Sequence, residues 1–172
     1  MRTIIVSLVL SLLLAVASIA GAADVKLASV DVQKVLVLSN AGKEAKEQLS
    51  LRAGKYENDK NAKEEELKKL KADLEKQSVL LSESARNAKE KDYQQKLKEY
   101  QRFLKDAQDD LQAKNDEFTN RIVEEIVKVI QEYGRKNGYS FIFVKNDSMI
   151  YTDDKADLTD EILNLFNAAK KK

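Results

Sequence analysis

The longest uninterrupted feature of the sequence is a highly charged stretch from Ala41 to Asn137 that contains no proline. Apolar residues return at every third or fourth position along it, as they do on one face of a helix. This pattern weakens only between Ser82 and Asp92, where alanines alone continue it. The stretch far exceeds the ~10–14 residues of an average globular helix. It therefore predicts two long antiparallel helices, with one continuous rod as the alternative.

We expect residues 43–137 to form a helical hairpin arm with its tip near 82–92. The line of contact between its two helices, called the seam below, should be thin, because alanines and charged residues occupy several positions where a coiled coil would have leucine. The base of the arm, 118–137, is richer in apolar residues and should be buried on several sides.

Charged residues along the arm indicate mainly a solvated helix surface. Asp92 with Lys96 and Asp110 with Lys114 have the four-residue spacing of ion pairs along one helix, each worth roughly 0.2–0.5 kcal/mol. Basic residues gather near the predicted tip, and acidic residues lie farther back. The tip is therefore modestly cationic and could attract an acidic polypeptide or lipid headgroups.

Two kinds of arm residue are candidates for contact with a guest polypeptide: basic residues near the tip and aromatic residues of the return helix. Tyr93 and Tyr100 follow the apolar stripe, where filling the seam is the simpler role, and Phe103 lies beside it. The candidates are Arg86, Lys89, Lys91, Tyr93, Lys96, Tyr100 and Phe103.

The first 23 residues have the composition of a secretory signal peptide. Arg2 supplies the positive start, Ile4 to Ala17 is an apolar run, and cleavage is expected near Ala22 or Ala23. The run is shorter than the roughly 20 residues of a membrane-spanning helix. We therefore expect an exported, soluble mature chain, with an uncleaved N-terminal anchor as the alternative.

The segment before the arm, 24–42, predicts one strand and one short helix. Val25 to Val30 alternates apolar and polar residues as a half-buried strand does, and Asp31 to Leu38 has the spacing of a helical turn or short helix. Ser39 or Asn40 could then cap the first long helix.

The segment after the arm, 138–172, predicts a strand pair and a last helix. The Asn-Gly pair at its start is a left-handed helix stop. Tyr139 to Val144 favours a strand, and Met149 to Tyr151 would return beside it as a β-hairpin. Asp157 or Thr159 could cap the last helix. This order of elements predicts an α+β protein that is mostly helical.

Missing residue types exclude several kinds of site. The chain has no Cys and no His, so it lacks disulfides, a thiol nucleophile, a histidine base and the usual zinc ligands. The full chain has 30 basic and 29 acidic residues. Cleavage of the predicted signal peptide removes Arg2, so the mature chain has equal numbers of basic and acidic residues and no formal net charge. A global basic field for nucleic acid is therefore absent. We expect no enzyme activity, no cofactor, no metal and no nucleic-acid partner.

The predicted body, 24–42 with 138–172, is too small for a robust core of its own. Three short strands would also leave two open sheet edges. If several copies of the chain share one body, they enlarge its core and pair its open sheet edges. The residues expected to form this body or its oligomer contacts are Val30, Val35, Ile122, Ile126, Ile130, Phe141, Ile142, Phe143 and Ile150.

Two groups of motifs lie on opposite sides of the arm: Val30-Asp-Val-Gln-Lys-Val-Leu36, Ser39 and Ala41-Gly-Lys43 before it, and Phe141-Ile-Phe-Val144, Ile150-Tyr151 and Asp157-Leu-Thr159 after it. With these motifs the sequence resembles the Skp/OmpH family of periplasmic chaperones, over essentially all of the mature chain. The resemblance implies a periplasmic homotrimer whose subunits share a small β-barrel. It also implies that coiled-coil tentacles enclose unfolded outer-membrane proteins without ATP and prevent their aggregation.

One departure from the family concerns charge. Familiar members are strongly basic, whereas this mature chain is formally neutral. The family implies transient contact with an anionic membrane or lipopolysaccharide, but no lipid-binding residue can be transferred to this sequence. The alternative function is that of a structural or adaptor coiled-coil protein of the cell envelope without chaperone activity.

Overall fold

The computed structural model describes residues 25–77 and 82–169. The predicted signal peptide and its cleavage site therefore lie outside the described residues. The elements in chain order are β1 (Leu27–Val30), α1 (Val32–Leu38), α2 (Asn40–Gln77), α3 (Glu83–Lys136), β2 (Phe141–Val144), a 3-10 turn (Asp154–Ala156) and α4 (Thr159–Ala169).

The two long helices α2 and α3 lie side by side and antiparallel, which confirms the hairpin and rejects the single rod. Arg52 of α2 contacts Asp110 of α3, and farther from the body Glu66 contacts Lys96. The partner's residue number falls as the residue number in α2 rises, as an antiparallel pair requires. At 1.5 Å per residue, the 54 residues of α3 span about 80 Å.

The predicted position of the tip, 82–92, is corrected by the structure. Helix α3 begins at Glu83, and the hydroxyl of Ser82 caps it by accepting a hydrogen bond from the backbone of Ala85 at 3.3 Å. Residues 83–92 are therefore helical. Their weak apolar pattern was no sign of a break, because alanine and charged residues sustain a helix without a buried face.

Two capping residues define the entry into the arm, and one of them, Ser39, was predicted. The Asp31 carboxylate accepts from the backbone of Lys34 at 2.7 Å and starts α1. The Ser39 hydroxyl accepts from the backbone of Gly42 at 3.0 Å and so caps α2. A Cβ at Gly42 would lie 1.8 Å from the carbonyl oxygen of Leu36. The tight turn between α1 and α2 therefore requires glycine.

Helix α3 ends at the predicted Asn-Gly stop, where Gly138 has a φ of 68°. The chain then forms β2, which pairs in parallel with β1 so that Leu27 lies opposite Phe141 and Val30 opposite Val144. The small sheet is thus formed by the two segments that flank the arm.

The predicted β-hairpin is wrong, because Met149 to Tyr151 is not a strand. Instead the chain crosses to the other edge of β1, where Asp157 forms a parallel bridge with Ser29. The backbone of Leu158 donates to the carbonyl of Ser29 at 2.9 Å. These bonds take the returning chain away from β2, so residues 149–151 have no strand beside them.

The core lies at the base of the arm, between the inner face of the sheet, α1, α3 and α4. Helix α4 buries Ile162 and Phe166 there, whereas Leu165 is 41 % exposed. The other large side chains that are almost fully buried are Val30, Val35, Ile122 and Ile126.

Candidate functional site

One face of the sheet is buried against the helices, and the other is exposed along β2 and at the start of β1. Ile142 points inward and lies against α3 near Gly134, while Phe141 and Phe143 point outward. Their rings stack with centroids 6.0 Å apart and remain 59 % and 48 % exposed. Leu27, opposite Phe141 on β1, is also exposed. We call Leu27, Phe141 and Phe143 the outer sheet face.

A second apolar surface adjoins the outer sheet face. Residues 146–156 present Ile150 and Tyr151 with exposed fractions of 99 % and 81 %. Both residues line a shallow groove of about 660 Å³, together with Phe143 and Met149. Continuous exposed apolar surface of this kind is typical of protein interaction sites.

The structure divides the predicted body residues into two groups. Four lie in the core of the single chain, namely Val30, Val35, Ile122 and Ile126, and two more pack partly buried against it, namely Ile130 and Ile142. Three are exposed in the single chain, namely Phe141, Phe143 and Ile150. Only the exposed group is free to contact another molecule.

A polar contact joins the two helices in the middle of the arm. The guanidinium of Arg52 donates to both carboxylate oxygens of Asp110, and the hydroxyl of Tyr56 donates to the same carboxylate at 2.9 Å. The hydrogen bond from Arg52, helped by that from Tyr56, holds the pKa of Asp110 below its usual range. The seam is therefore held at this level by charge and hydrogen bonds.

Two further polar contacts cross the seam nearer the tip. The hydroxyl of Tyr100 donates to Glu64 at 2.5 Å, and the ammonium of Lys96 contacts Glu66 at 2.9 Å. Lys96 was predicted to pair with Asp92, and Asp110 with Lys114. Both predictions are wrong, because the antiparallel helix brings another oppositely charged group within reach of Lys96 and of Asp110.

The predicted client-contact residues lie in two separate places. Tyr93, Tyr100 and Phe103 are half-buried along the seam, and Phe103 meets the ring of Tyr56 edge to face at 6.0 Å between centroids. Near the start of α3, Arg86 and Lys91 are exposed and Lys89 is half-buried. Lys96, which contacts Glu66, belongs with the seam. The basic and aromatic candidates therefore do not form one site.

Sequence reasoning missed a groove on the arm. It has a volume of about 460 Å³ and is lined in part by Ala53, Tyr56, Phe103, Leu104 and Ala107. The signal was present in the sequence, because small residues on both helices leave the seam unfilled at this level. The groove gives the arm an accessible apolar surface beside the aromatic pair.

Residues 25–77 and 82–169 contain no cluster of acidic side chains arranged to hold a metal ion. Nor does any helix in these ranges combine the length and the apolar character needed to cross a membrane.

The fold thus defines a class of protein in which a long helical hairpin projects from a small body, whose sheet has an exposed apolar face. The family described as Outer membrane protein (OmpH-like) matches residues 26–166, and the chain belongs to this family. The resemblance noted in the sequence is thereby confirmed.

Two similar proteins extend this result. An uncharacterized protein of Aquifex aeolicus (strain VF5) is 32 % identical over 136 residues, which cover 79 % of this chain and 82 % of the relative. The crystal structure of a proposed outer membrane chaperone (OmpH-like) from Caulobacter crescentus CB15 superposes with a TM-score of 0.79 at 16 % identity. The match covers 87 % of this chain and 88 % of the other and confirms the fold.

Proposed function

We propose that the protein is an ATP-independent holdase chaperone of the periplasm. As a homotrimer, it would enclose unfolded outer-membrane proteins between its arms and prevent their aggregation. The observation that carries this proposal is the combination of an uncovered apolar surface on the body with arms that extend far beyond it. Membership of the OmpH-like family and the fold of the Caulobacter protein support the same function.

The exposed body surface supports assembly. Phe141 and Phe143 offer apolar rings that nothing in the described chain covers, and the outer edge of β2 pairs with no described strand. An apolar face and an open edge favour association with another sheet. Three copies arranged around one axis would pair these edges and enclose the outer sheet faces in a shared β-barrel.

The arm supports many weak contacts with a guest. Among described arm residues up to position 117, Leu51 and Leu104 are the exposed large aliphatic side chains. The groove beside Leu104 is shallow, and polar contacts hold much of the seam. Many weak contacts from several arms bind by avidity and still permit release. The absence of a Gly-rich phosphate loop from the sequence agrees with action that needs no nucleotide.

The location and the remaining contacts follow from the sequence. The predicted signal peptide supports export of the mature chain from the cytoplasm, and family membership supports the periplasm as its location. Contact with an anionic membrane or lipopolysaccharide would be transient, because the mature chain is formally neutral and only its tip is modestly cationic.

An aggregation assay tests the function. An outer-membrane β-barrel protein unfolded in urea is diluted into buffer with or without the mature chain, and light scattering is recorded. We expect scattering to be suppressed at about one trimer per client. Scattering that is unchanged by the mature chain would reject the holdase and favour the structural or adaptor alternative.

A further inference from the structure

The groove of about 460 Å³ on the arm, called the arm groove below, runs along the seam between α2 and α3. Its lining extends from Ala53 to Lys60 on α2 and from Phe103 to Gln112 on α3. At 1.5 Å per residue, these stretches span about 10 to 14 Å along the arm. The groove is therefore longer than one side chain. It is also open to solvent, since Ala53 and Leu104 line it and are both exposed.

Two aromatic rings line the arm groove and are held in place from both sides. Phe103 meets the ring of Tyr56 edge to face, with 6.0 Å between the centroids. The ammonium of Lys63 lies 5.3 Å from the centroid of the Phe103 ring, and the guanidinium of Arg52 lies 5.9 Å from that of Tyr56. The hydroxyl of Tyr56 also donates to Asp110 at 2.9 Å. Because these contacts fix the rings before a ligand arrives, less conformational entropy is lost on binding.

The two charged residues that line the arm groove neutralise each other. The ammonium of Lys60 contacts the carboxylate of Glu57 at 2.9 Å. Gln108 and Gln112 add neutral amide groups, which can donate hydrogen bonds to a peptide backbone and accept them from it. A neutral polypeptide with apolar side chains therefore fits the groove better than an anion such as a lipid headgroup.

An extended polypeptide has a spacing that matches the length of the arm groove. A strand rises about 3.4 Å per residue, so alternate side chains lie on one face about 7 Å apart. The groove has room for roughly two or three of these side chains. It contacts only one side of the segment, so the intervening side chains remain in solvent. A segment in which apolar and polar residues alternate thus buries more of its apolar surface there than one in which they are grouped.

We propose that the arm groove binds extended client segments that carry apolar side chains at every second position, which is the pattern of a transmembrane β-strand. This inference rests on the proposed function. It names the part of an unfolded outer-membrane protein that the arm recognises, and it gives Phe103 and Leu104 the role of apolar contacts in that recognition.

Two short peptides of identical composition test this recognition. One alternates tryptophan and leucine with threonine, and the other has its apolar residues grouped at one end. The chain contains no Trp, so tryptophan emission reports on the peptide alone. In titrations with the mature chain, we expect the alternating peptide to bind about tenfold more tightly, because it places one more apolar side chain in the groove. Its emission should shift to shorter wavelength on binding.

Leu104→Gln and its matched control Leu51→Gln remove an exposed leucine from the two helices of the arm. Leu104 lines the groove and is 39 % exposed, whereas Leu51 is 70 % exposed and lies outside the lining. We expect about tenfold weaker binding of the alternating peptide to Leu104→Gln and unchanged binding to Leu51→Gln. Ala53→Gln narrows the groove from α2 at an exposed position and should also weaken binding. Circular dichroism should show all three variants folded.

Several outcomes would overturn the proposal. Equal binding of the two peptides would show that the alternating pattern is not recognised. Equal losses in Leu104→Gln and Leu51→Gln would assign binding to exposed apolar surface in general. A change in the mass of the protein alone in Leu104→Gln would show that a second copy of the chain occupies the groove.

These outcomes are distinct from failure of the proposed function. If they occur while the unmodified chain still suppresses light scattering, the arm groove is not the binding site and the holdase proposal stands. If the unmodified chain binds the alternating peptide through the groove but does not suppress scattering, the groove assignment stands and the holdase proposal is rejected.

Discussion

Arg52 on α2 and Asp110 on α3 form a two-bond contact between guanidinium and carboxylate, although 58 residues separate them in the chain. Tyr56, one turn along α2, donates to the same carboxylate. A contact of this geometry aligns the two helices as well as attracting them, because both hydrogen bonds form in only one register. The middle of the arm therefore depends on polar contacts.

Asp110→Asn tests this dependence, with Asp109→Asn as a control on the neighbouring residue. Asp109 pairs with Lys105 at 2.5 Å along its own helix. We expect Asp110→Asn to speed amide hydrogen exchange in the facing parts of α2 and α3, because local opening becomes easier. Equal exchange in the two variants would show that the contact with Arg52 does not hold the arm closed.

Acid should weaken the body through Asp157. Burial of this carboxylate opposes its ionisation, but hydrogen bonds from Thr159 and Lys145 outweigh burial and hold its pKa below the usual range. Because the pKa of Asp157 is lower in the folded chain, its ionisation stabilises the fold at pH values above the unfolded-state pKa of about 3.9. This stabilisation is lost as the pH falls through the pKa of the folded state. Thermal unfolding measured from pH 6 downward should therefore show a smaller acid loss in Asp157→Asn. Identical slopes of melting temperature against pH in Asp157→Asn and in the unmodified chain would contradict this role of Asp157.

Two glycines of α2 should respond oppositely to alanine. Gly42→Ala forces a Cβ against the carbonyl oxygen of Leu36 and should cost about 1–3 kcal/mol or more. A Cβ at Gly54 meets nothing within 4 Å, so Gly54→Ala should stabilise the helix by about 1 kcal/mol. Urea unfolding at one protein concentration compares them. A neutral Gly42→Ala would show that the turn after α1 is looser than described.

Charge placed in the core and on the outer sheet face should have different effects. Ile126 is 0 % exposed, so Ile126→Asp leaves a buried unpaired carboxylate and should cost about 3–5 kcal/mol and unfold the body. Phe143→Asp should leave the single chain folded but prevent assembly. Circular dichroism and sedimentation distinguish these results, and Ala88→Glu, near the tip, should alter neither. A trimeric Phe143→Asp would argue against a shared barrel.

Local signals in the sequence were sufficient for most element boundaries. Ser39 acts as a cap and Gly138 as a stop where predicted, because a cap depends only on residues within one helical turn. The periodic apolar stripe likewise predicted the hairpin. The tip was misplaced, since no glycine or proline marked it.

Contacts between distant segments could not be predicted in the same way. Asp110 has Lys114 four residues away, so nothing in the sequence favoured Arg52 as its partner. Met149 to Tyr151 has the composition of a strand, but strand formation requires a neighbouring edge that this segment does not reach in the single chain. The exposed and buried groups among the body residues were also indistinguishable, because Ile126 and Phe143 are both simply apolar in the sequence.

The central claim is that three copies of the mature chain enclose an unfolded client. The most direct test is the mass of the mature protein in solution, measured alone and with a urea-unfolded outer-membrane β-barrel protein after dilution. The account predicts a mass of three subunits for the protein alone and of three subunits with one client for the mixture. A single-subunit mass, or a trimer that recovers no soluble client, would contradict it.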